Sequence, residues 1–271
     1  MLNILSLGAG VQSTTLALMA ARGEVTPMPD CAIFADTQGE PMAVYKHLEW
    51  LCSPGVLPYP VHVVSRGNLW ESATRVRRTR DGLRTYISTG IPAYTMDGET
   101  RGIGRRQCTR TFKIEPIVTE ARRLLGRKQI RQTDGTLVSM WMGISLDEAI
   151  RRKPARQSWI EGRWPLLELG VTRQDCLDWM KRNGYPTPPK SSCTFCPYHD
   201  NEQWRALAAD EFSDAVVKEK ELQRAYAAAS ALRSTPYLHA SRKPLGEIDF
   251  TSRSGQEPDL FNNECEGMCG V

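Results

Sequence analysis

Residues 6–15, Ser6-Leu7-Gly8-Ala9-Gly10-Val11-Gln12-Ser13-Thr14-Thr15, decide the fold. The apolar run Leu2-Asn3-Ile4-Leu5 leads in, and Thr14-Thr15-Leu16-Ala17-Leu18-Met19 leads out with helical spacing. A strand, a glycine turn and a helix start in that order make an anion site. Backbone N–H groups converge there, the helix dipole is positive, and glycine lets a phosphate approach the main chain. No Gly-Lys-Ser/Thr follows as in a Walker A box, and serine at position 13 breaks the G-x-G-x-x-G pattern. A serine hydroxyl there can bond a phosphate oxygen. Alone, the stretch reads either as a phosphate cradle or as a plain strand-to-helix turn.

Working outward, residues 2–7 read as a strand, 12–22 as a helix, 31–35 as a strand, 41–52 as a helix and 61–64 as a strand. This alternation predicts an α/β fold, a Rossmann-like doubly wound parallel sheet with right-handed crossovers. Ligands in such sheets lie beyond the carboxyl ends of the strands. Gly8–Ser13 and Asp36-Thr37-Gln38-Gly39-Glu40 both fall there, which favours the phosphate reading. Residues 66–107, with six glycines and scattered arginines, read as a long irregular binding loop. A helix over 112–126 follows, then a buried strand over 137–143, a turn over 143–148, a capped helix over 172–183 and helices from 201 to 232. The expected division is a nucleotide-binding domain over 1–200, with 66–107 inserted, and a helical extension with a cysteine-containing tail over 201–271.

Composition is that of a globular protein: 41% hydrophobic, 24% charged and a net charge of +4. The charge is segregated. Residues 75–131 hold 15 Lys/Arg against 5 Asp/Glu. This is either a solvated arginine-rich surface or a site for polyanions, nucleotide phosphates or nucleic acid. No apolar run reaches the roughly 20 residues that span a bilayer, so no membrane association and a cytoplasmic location are expected.

Eight cysteines in that setting do not read as a disulfide framework. Cys31, Cys52 and Cys176 sit in apolar or helical contexts and read as small buried hydrophobes. Cys193-x-x-Cys196 places two sulfurs on one metal, and Cys108 can supply a third if the fold brings it near. Two readings stand: a Zn2+ site completed by His199, or a three-thiolate [4Fe-4S] cluster with one open iron.

Taken together and in order, these motifs resemble the phosphoadenosine-phosphosulfate (PAPS) reductase branch of the PP-loop superfamily. Gly8–Ser13 is similar to its S-G-G-x-D-S loop, and Asp36–Pro41 resembles its D-T-G-x-x-F-P-E-T segment. Arg106–Pro116 resembles C-[CT]-x-x-x-K-x-x-P, Gly143–Arg151 resembles G-x-R-x-x-E-S-x-x-R, and Cys193–Pro197 matches C-x-x-C-P. The resemblance spans about residues 3–200. It implies an adenine nucleotide, ATP or else PAPS or adenylylsulfate, held with Mg2+ by Ser6, Gly8, Ala9, Gly10, Gln12, Ser13, Thr14, Asp36, Thr37 and Gly143.

Departures from the family pattern bear on the reaction. Gln12 stands for the loop aspartate, Ser145 for the usual arginine, and Gln107 for the first of an adjacent cysteine pair. Three-cysteine members are typically sulfur-inserting enzymes that adenylate their acceptor. The resemblance therefore implies an ATP-dependent sulfurtransferase with Lys113 and Arg151 as electrostatic catalysts. Its partners would be a tRNA or DNA acceptor and a sulfur or electron donor protein, and a homodimer is allowed. Glu264-Cys265 and Cys269-Gly270 resemble the reductases' C-terminal E-C-G, which implies instead a sulfonucleotide reductase with Cys265 or Cys269 as the nucleophile. A nucleotide- or nucleic-acid-binding module with structural zinc is the non-catalytic alternative.

Overall fold

Strand and helix alternate through the first third of the chain as its periodicity predicts. The computed structural model describes residues 1–250. Strand β1 (Leu2–Leu7) runs into helix α1 (Val11–Ala21), β2 (Cys31–Asp36) into α2 (Met42–Leu51), and β3 (Val61–Ser65) into the short α3 (Leu69–Thr74). After an excursion the chain returns through α4 (Glu115–Leu124) to β8 (Val138–Met142) and β9 (Ile160–Arg163). These strands form a five-stranded sheet in the order β3-β2-β1-β8-β9, with every neighbour parallel.

That order explains why residues 6–15 matter. The chain winds outward from β1 through β2 and β3, then crosses to the other side of β1 for β8 and β9. The topological switch point therefore lies between β1 and β8, the crevice where sheets of this kind take ligands. Leu5 pairs with Ala32 on one side and Trp141 on the other, so β1 is central and fully covered. Its helix is covered too, since every residue from Val11 to Ala20 is buried.

Two apolar layers sandwich the sheet. One face packs Leu5, Leu7 and Phe34 against α1, α2 and the later helix α6 (Arg173–Arg182). The other packs Ile4, Ile33 and Met140 against Ile117, Val118 and Ala121 of α4. Thr172 begins α6 with a reciprocal capping box to Asp175, as S/T-x-x-D/E spacing predicts.

Residues 66–107 differ from the irregular loop expected of them. They hold α3, the hairpin β4 (Val76–Arg78) and β5 (Thr85–Ile87), and the hairpin β6 (Tyr94–Asp97) and β7 (Thr100–Ile103). Strands of three or four residues, broken by glycine and arginine, carry too little alternation to stand out. β9 is missed for the same reason. Strand β10 (Thr235–Tyr237) pairs antiparallel with β6, so the inserted segment and the chain after 200 share one small sheet. They also share a core, in which Trp70 and Phe112 meet Phe195, Trp204, Leu222 and Leu238. Helix α8 (Ala209–Ala228) anchors that end: its buried Glu219 accepts the backbone N–H groups of Leu238 and Leu245 at 2.8 and 2.7 Å.

Candidate active site

The β1–α1 turn starts its helix without a side-chain cap. Gly10 is the N-cap residue of α1 and has no side chain to cap it, so the first-turn N–H groups are not claimed by a side-chain cap. Gly8 N–H donates to Ser13 Oγ at 3.2 Å, closing the loop on itself. Ala9, between the glycines, sits at φ 56°, and Gln38 in the next loop at φ 57°. Non-glycine residues in this left-handed region cost about 1–2 kcal/mol and cluster at ligand sites. Gly143, at the end of β8, abuts this turn. A Cβ there would stand 2.7 Å from Ser13 N and 2.8 Å from Ser13 Cα, so only glycine lets the two backbones meet. Gly143 thus contributes packing under the loop.

Polar groups behind the loop are locked in place. Gln12 is fully buried, with its amide nitrogen 3.5 Å from Ser145 Oγ and its amide oxygen without a hydrogen-bond partner among the described residues. The two departures from the family pattern, Gln12 and Ser145, are therefore spatial partners. Thr14 Oγ1 lies 3.1 Å from His47 Nε2, and burial pushes the His47 pKa down to about 4. His47 was not singled out by the sequence reading. Its spacing of three from Val44 and four from Leu51 puts it on the buried face of α2 and is the signal that could have found it.

Loop 36–40 after β2 reaches the cysteines. Asp36 Oδ1 accepts from Gln38 N–H at 2.7 Å and from the Tyr45 hydroxyl at 2.8 Å. Burial and this hydrogen bond hold the Tyr45 phenol in its protonated form. Thr37 Oγ1 lies 3.3 Å from Cys193 Sγ. Gly39 accepts the Thr194 N–H at 2.8 Å, and a Cβ on Gly39 would meet the Phe195 ring at 2.7 Å. Glu40 pairs with Lys113 at 3.0 Å, both buried.

Cys108, Cys193 and Cys196 line one cavity, together with Thr37, Arg106 and Lys113. Sequence positions 85 residues apart are thus gathered at the carboxyl end of β2. Cys108 caps a π-helical turn (Thr109–Ile114), a feature frequent at functional sites, which carries Lys113 inward. Burial pushes the Cys193 thiol well up, and Glu40 adds to this, while Lys113 and the Thr37 hydrogen bond oppose it. Arg106 stacks over Tyr198 with 5.4 Å to the ring centroid. Gln107 turns away and accepts the Gly90 N–H at 2.7 Å.

Among the described residues, no three His, Cys, Asp or Glu side chains are gathered so as to hold a single ion. His199 faces Ser192 at 2.8 Å and the edge of Trp204, and it does not line the cysteine cavity. Burial lowers its pKa to about 3. The zinc reading with His199 as fourth ligand is not what this geometry offers. A cluster makes a different demand, since each thiolate ligates a separate iron. The three thiols line one cavity of ≈ 30 Å³ beside the Glu40–Lys113 pair.

Arg151 lies elsewhere, on a 3₁₀ turn (Leu146–Arg151) after β8, paired with buried Glu148 at 2.8 Å. Neighbouring Asp147 accepts the Arg173 N–H and helps start α6. Cys265 and Cys269 fall outside the described residues.

The chain is similar to a solved reductase. It matches the crystal structure of phosphoadenylyl-sulfate (PAPS) reductase from Candida auris in its phosphate complex at 12% identity and a TM-score of 0.40, covering 69% of this chain and 75% of that one. No family model and no curated protein matches. No helix among the described residues is long and apolar enough to cross a membrane.

Proposed function

We propose that this protein is a PP-loop enzyme that binds an adenine nucleotide at the β1–α1 turn and carries out sulfur chemistry at the cysteine cavity, acting as an ATP-dependent sulfurtransferase. One observation carries the reading. Residues 36–40 leave β2, the parallel neighbour of the β1 strand that runs into the 8–14 turn, and touch Cys193, Phe195 and Lys113. An acceptor activated on the nucleotide would lie beside the thiols.

In this reading the N–H groups of residues 8–14 would hold the ATP phosphates, with Ser6 and Ser13 at the loop's base, and Asp36 and Thr37 would hold a Mg2+ that offsets phosphate charge. An oxygen of the acceptor attacks the α-phosphorus, the bond to pyrophosphate breaks, and an adenylate forms. Preorganised donors that cost no reorganisation stabilise the charge that develops. The adenylate turns a poor leaving oxygen into a good one, and AMP departs when sulfur takes its place on the same carbon. An iron–sulfur cluster on Cys108, Cys193 and Cys196 would supply an open iron able to carry sulfide. Lys113 neutralises Glu40 and keeps positive charge beside the thiolates. The sulfur comes from a donor protein, and the acceptor is tRNA or DNA.

A second reading is favoured by the Glu264-Cys265 and Cys269-Gly270 tail: reduction of PAPS or adenylylsulfate by a tail thiolate. Anaerobic purification with iron, zinc and acid-labile sulfide analysis tests the cysteine assignment, and absence of iron and sulfide would sink it. Pyrophosphate release that requires a nucleic acid supports the transferase. Sulfite release from a sulfonucleotide, lost in Cys269→Ser, supports the reductase instead.

A further inference from the structure

On the α4 side of the sheet three recesses meet at Arg66 and Glu115, the most open of them bordered also by Glu120, and two of them are basic. The first, of ≈ 410 Å³, is lined by Arg66, Arg110, Arg122, Lys153 and Arg156, with Met142 of β8 at its floor. The second, of ≈ 510 Å³, continues past Arg66 to Arg75 and Arg77, beside Asn68 and Thr89. Seven cations face two carboxylates, Glu71 and Glu115, a surplus of five positive charges. Glu115 holds Arg66 and Arg110 as a partition between the recesses, and Glu71 touches Arg75 at 3.6 Å. Arg122 lies over the Trp159 ring at 5.9 Å. Among the described residues, Arg77, Lys153 and Arg156 form no ion pair.

These cations come from three separate stretches of sequence, 66–77, 110–122 and 153–156, which only the fold brings together. The basic hairpin tip around Arg80 and Arg84 does not line the groove. A surplus of this size, left uncompensated on a concave surface, repels itself unless an anion covers it. Each recess is within the 300–1,000 Å³ range of small-ligand pockets, so the two in line match successive units of a polyanion. We propose that this groove binds the phosphodiester backbone of single-stranded nucleic acid. A duplex carries its phosphates on a convex cylinder and reaches only the rim of such a recess. The inference rests on the proposed function in identifying the strand as the acceptor, while binding can be measured without turnover.

The test is fluorescence anisotropy of the full chain with labelled single-stranded DNA and RNA of about 20 nucleotides, titrated from 50 to 200 mM salt. Five neutralised phosphates on a single strand predict a log–log slope of about −3.5, roughly a 100-fold loss of affinity across that range. Lys153→Ala with Arg156→Ala, and separately Arg75→Ala with Arg77→Ala, should each lower the slope by about 1.4. Lys181→Ala with Arg182→Ala, on α6 at the opposite face of the sheet, should leave affinity and slope unchanged. Circular dichroism checks that each variant is folded. Comparing the DNA and RNA arms identifies which backbone is preferred. The proposal is overturned by a slope near zero, by folded groove variants that bind like the parent, or by equal affinity for duplex. If the groove variants lose ATP binding along with nucleic acid, the cations belong to the nucleotide site and the groove is refuted. Lost nucleic-acid binding with intact ATP binding supports it, and failure of pyrophosphate release alone would strike only the enzymatic reading.

Discussion

Lys113→Met should unfold this protein far more readily than removal of a surface ion pair. The Glu40 and Lys113 side chains are 0% and 5% exposed and 3.0 Å apart. At an effective dielectric of 20, charges at that distance attract by about 5–6 kcal/mol, most of which offsets their desolvation. Removing the ammonium leaves a buried carboxylate uncompensated, and one of its oxygens, Oε2, already has no hydrogen-bond partner among the described residues. The expected loss is about 3–5 kcal/mol, equivalent to a urea midpoint lower by about 1 M or more. Glu40→Leu with Lys113→Met removes both charges and should cost under about 2 kcal/mol, because an apolar pair of similar volume escapes the desolvation penalty. Urea titrations of the parent, both single variants and the double variant close the cycle. A coupling energy above about 2 kcal/mol is expected. Single losses below about 1 kcal/mol that simply add would refute the argument and place the pair in solvent-like surroundings.

Three further outcomes follow from the same structure. Gly143→Ala should lower the unfolding temperature at a cost of about 1–3 kcal/mol, because its Cβ would meet backbone atoms of Ser13 that cannot turn aside; an unchanged thermal midpoint would contradict the close approach. Glu219→Ala should cost about 2–4 kcal/mol by orphaning the Leu238 and Leu245 amides, with Glu219→Gln costing less, measured by urea denaturation. Stability should also fall with acid: His47 binds a proton near its ordinary 6.5 when unfolded but only at about 4 when folded. Its contribution is complete above pH 6.5 and is lost as pH falls toward 4, roughly 3 kcal/mol in all. His47→Asn should flatten that part of the pH–stability curve, and an unchanged slope would show that His47 is not buried neutral.

Much of the sheet was legible because its signals are local. Apolar runs at 2–7, 31–35 and 137–143 separated by amphipathic helices leave few alternatives, and each became a strand of the parallel sheet. The segment 66–107 was not legible. Its four strands pair as two local hairpins of three or four residues, too short to show alternation, and only β6 gains a distant partner, β10, about 140 residues away. Site residues divide in the same way. Gly8–Ser13 and Cys193/Cys196 show in the sequence because glycine conformation and cysteine spacing are local requirements. The Glu40–Lys113 pair, the Thr14–His47 contact and the Gln12–Ser145 contact join distant positions and carry no spacing signature.

The stretch from Ser6 to Thr15 determined by itself that a strand would turn tightly into a helix start, since glycine and the helix dipole act within a few residues. The tertiary structure decided where that turn would sit and what would face it. Strand order placed it at the switch point between β1 and β8, with Gly143 packed beneath it. Folding also carried Cys108 to Cys193 and Cys196, and gathered cations from three stretches into one groove. Composition can count thiols and charges, but burial, shared cavities and electrostatic surplus arise from distances between residues far apart in the chain, and only packing sets those distances.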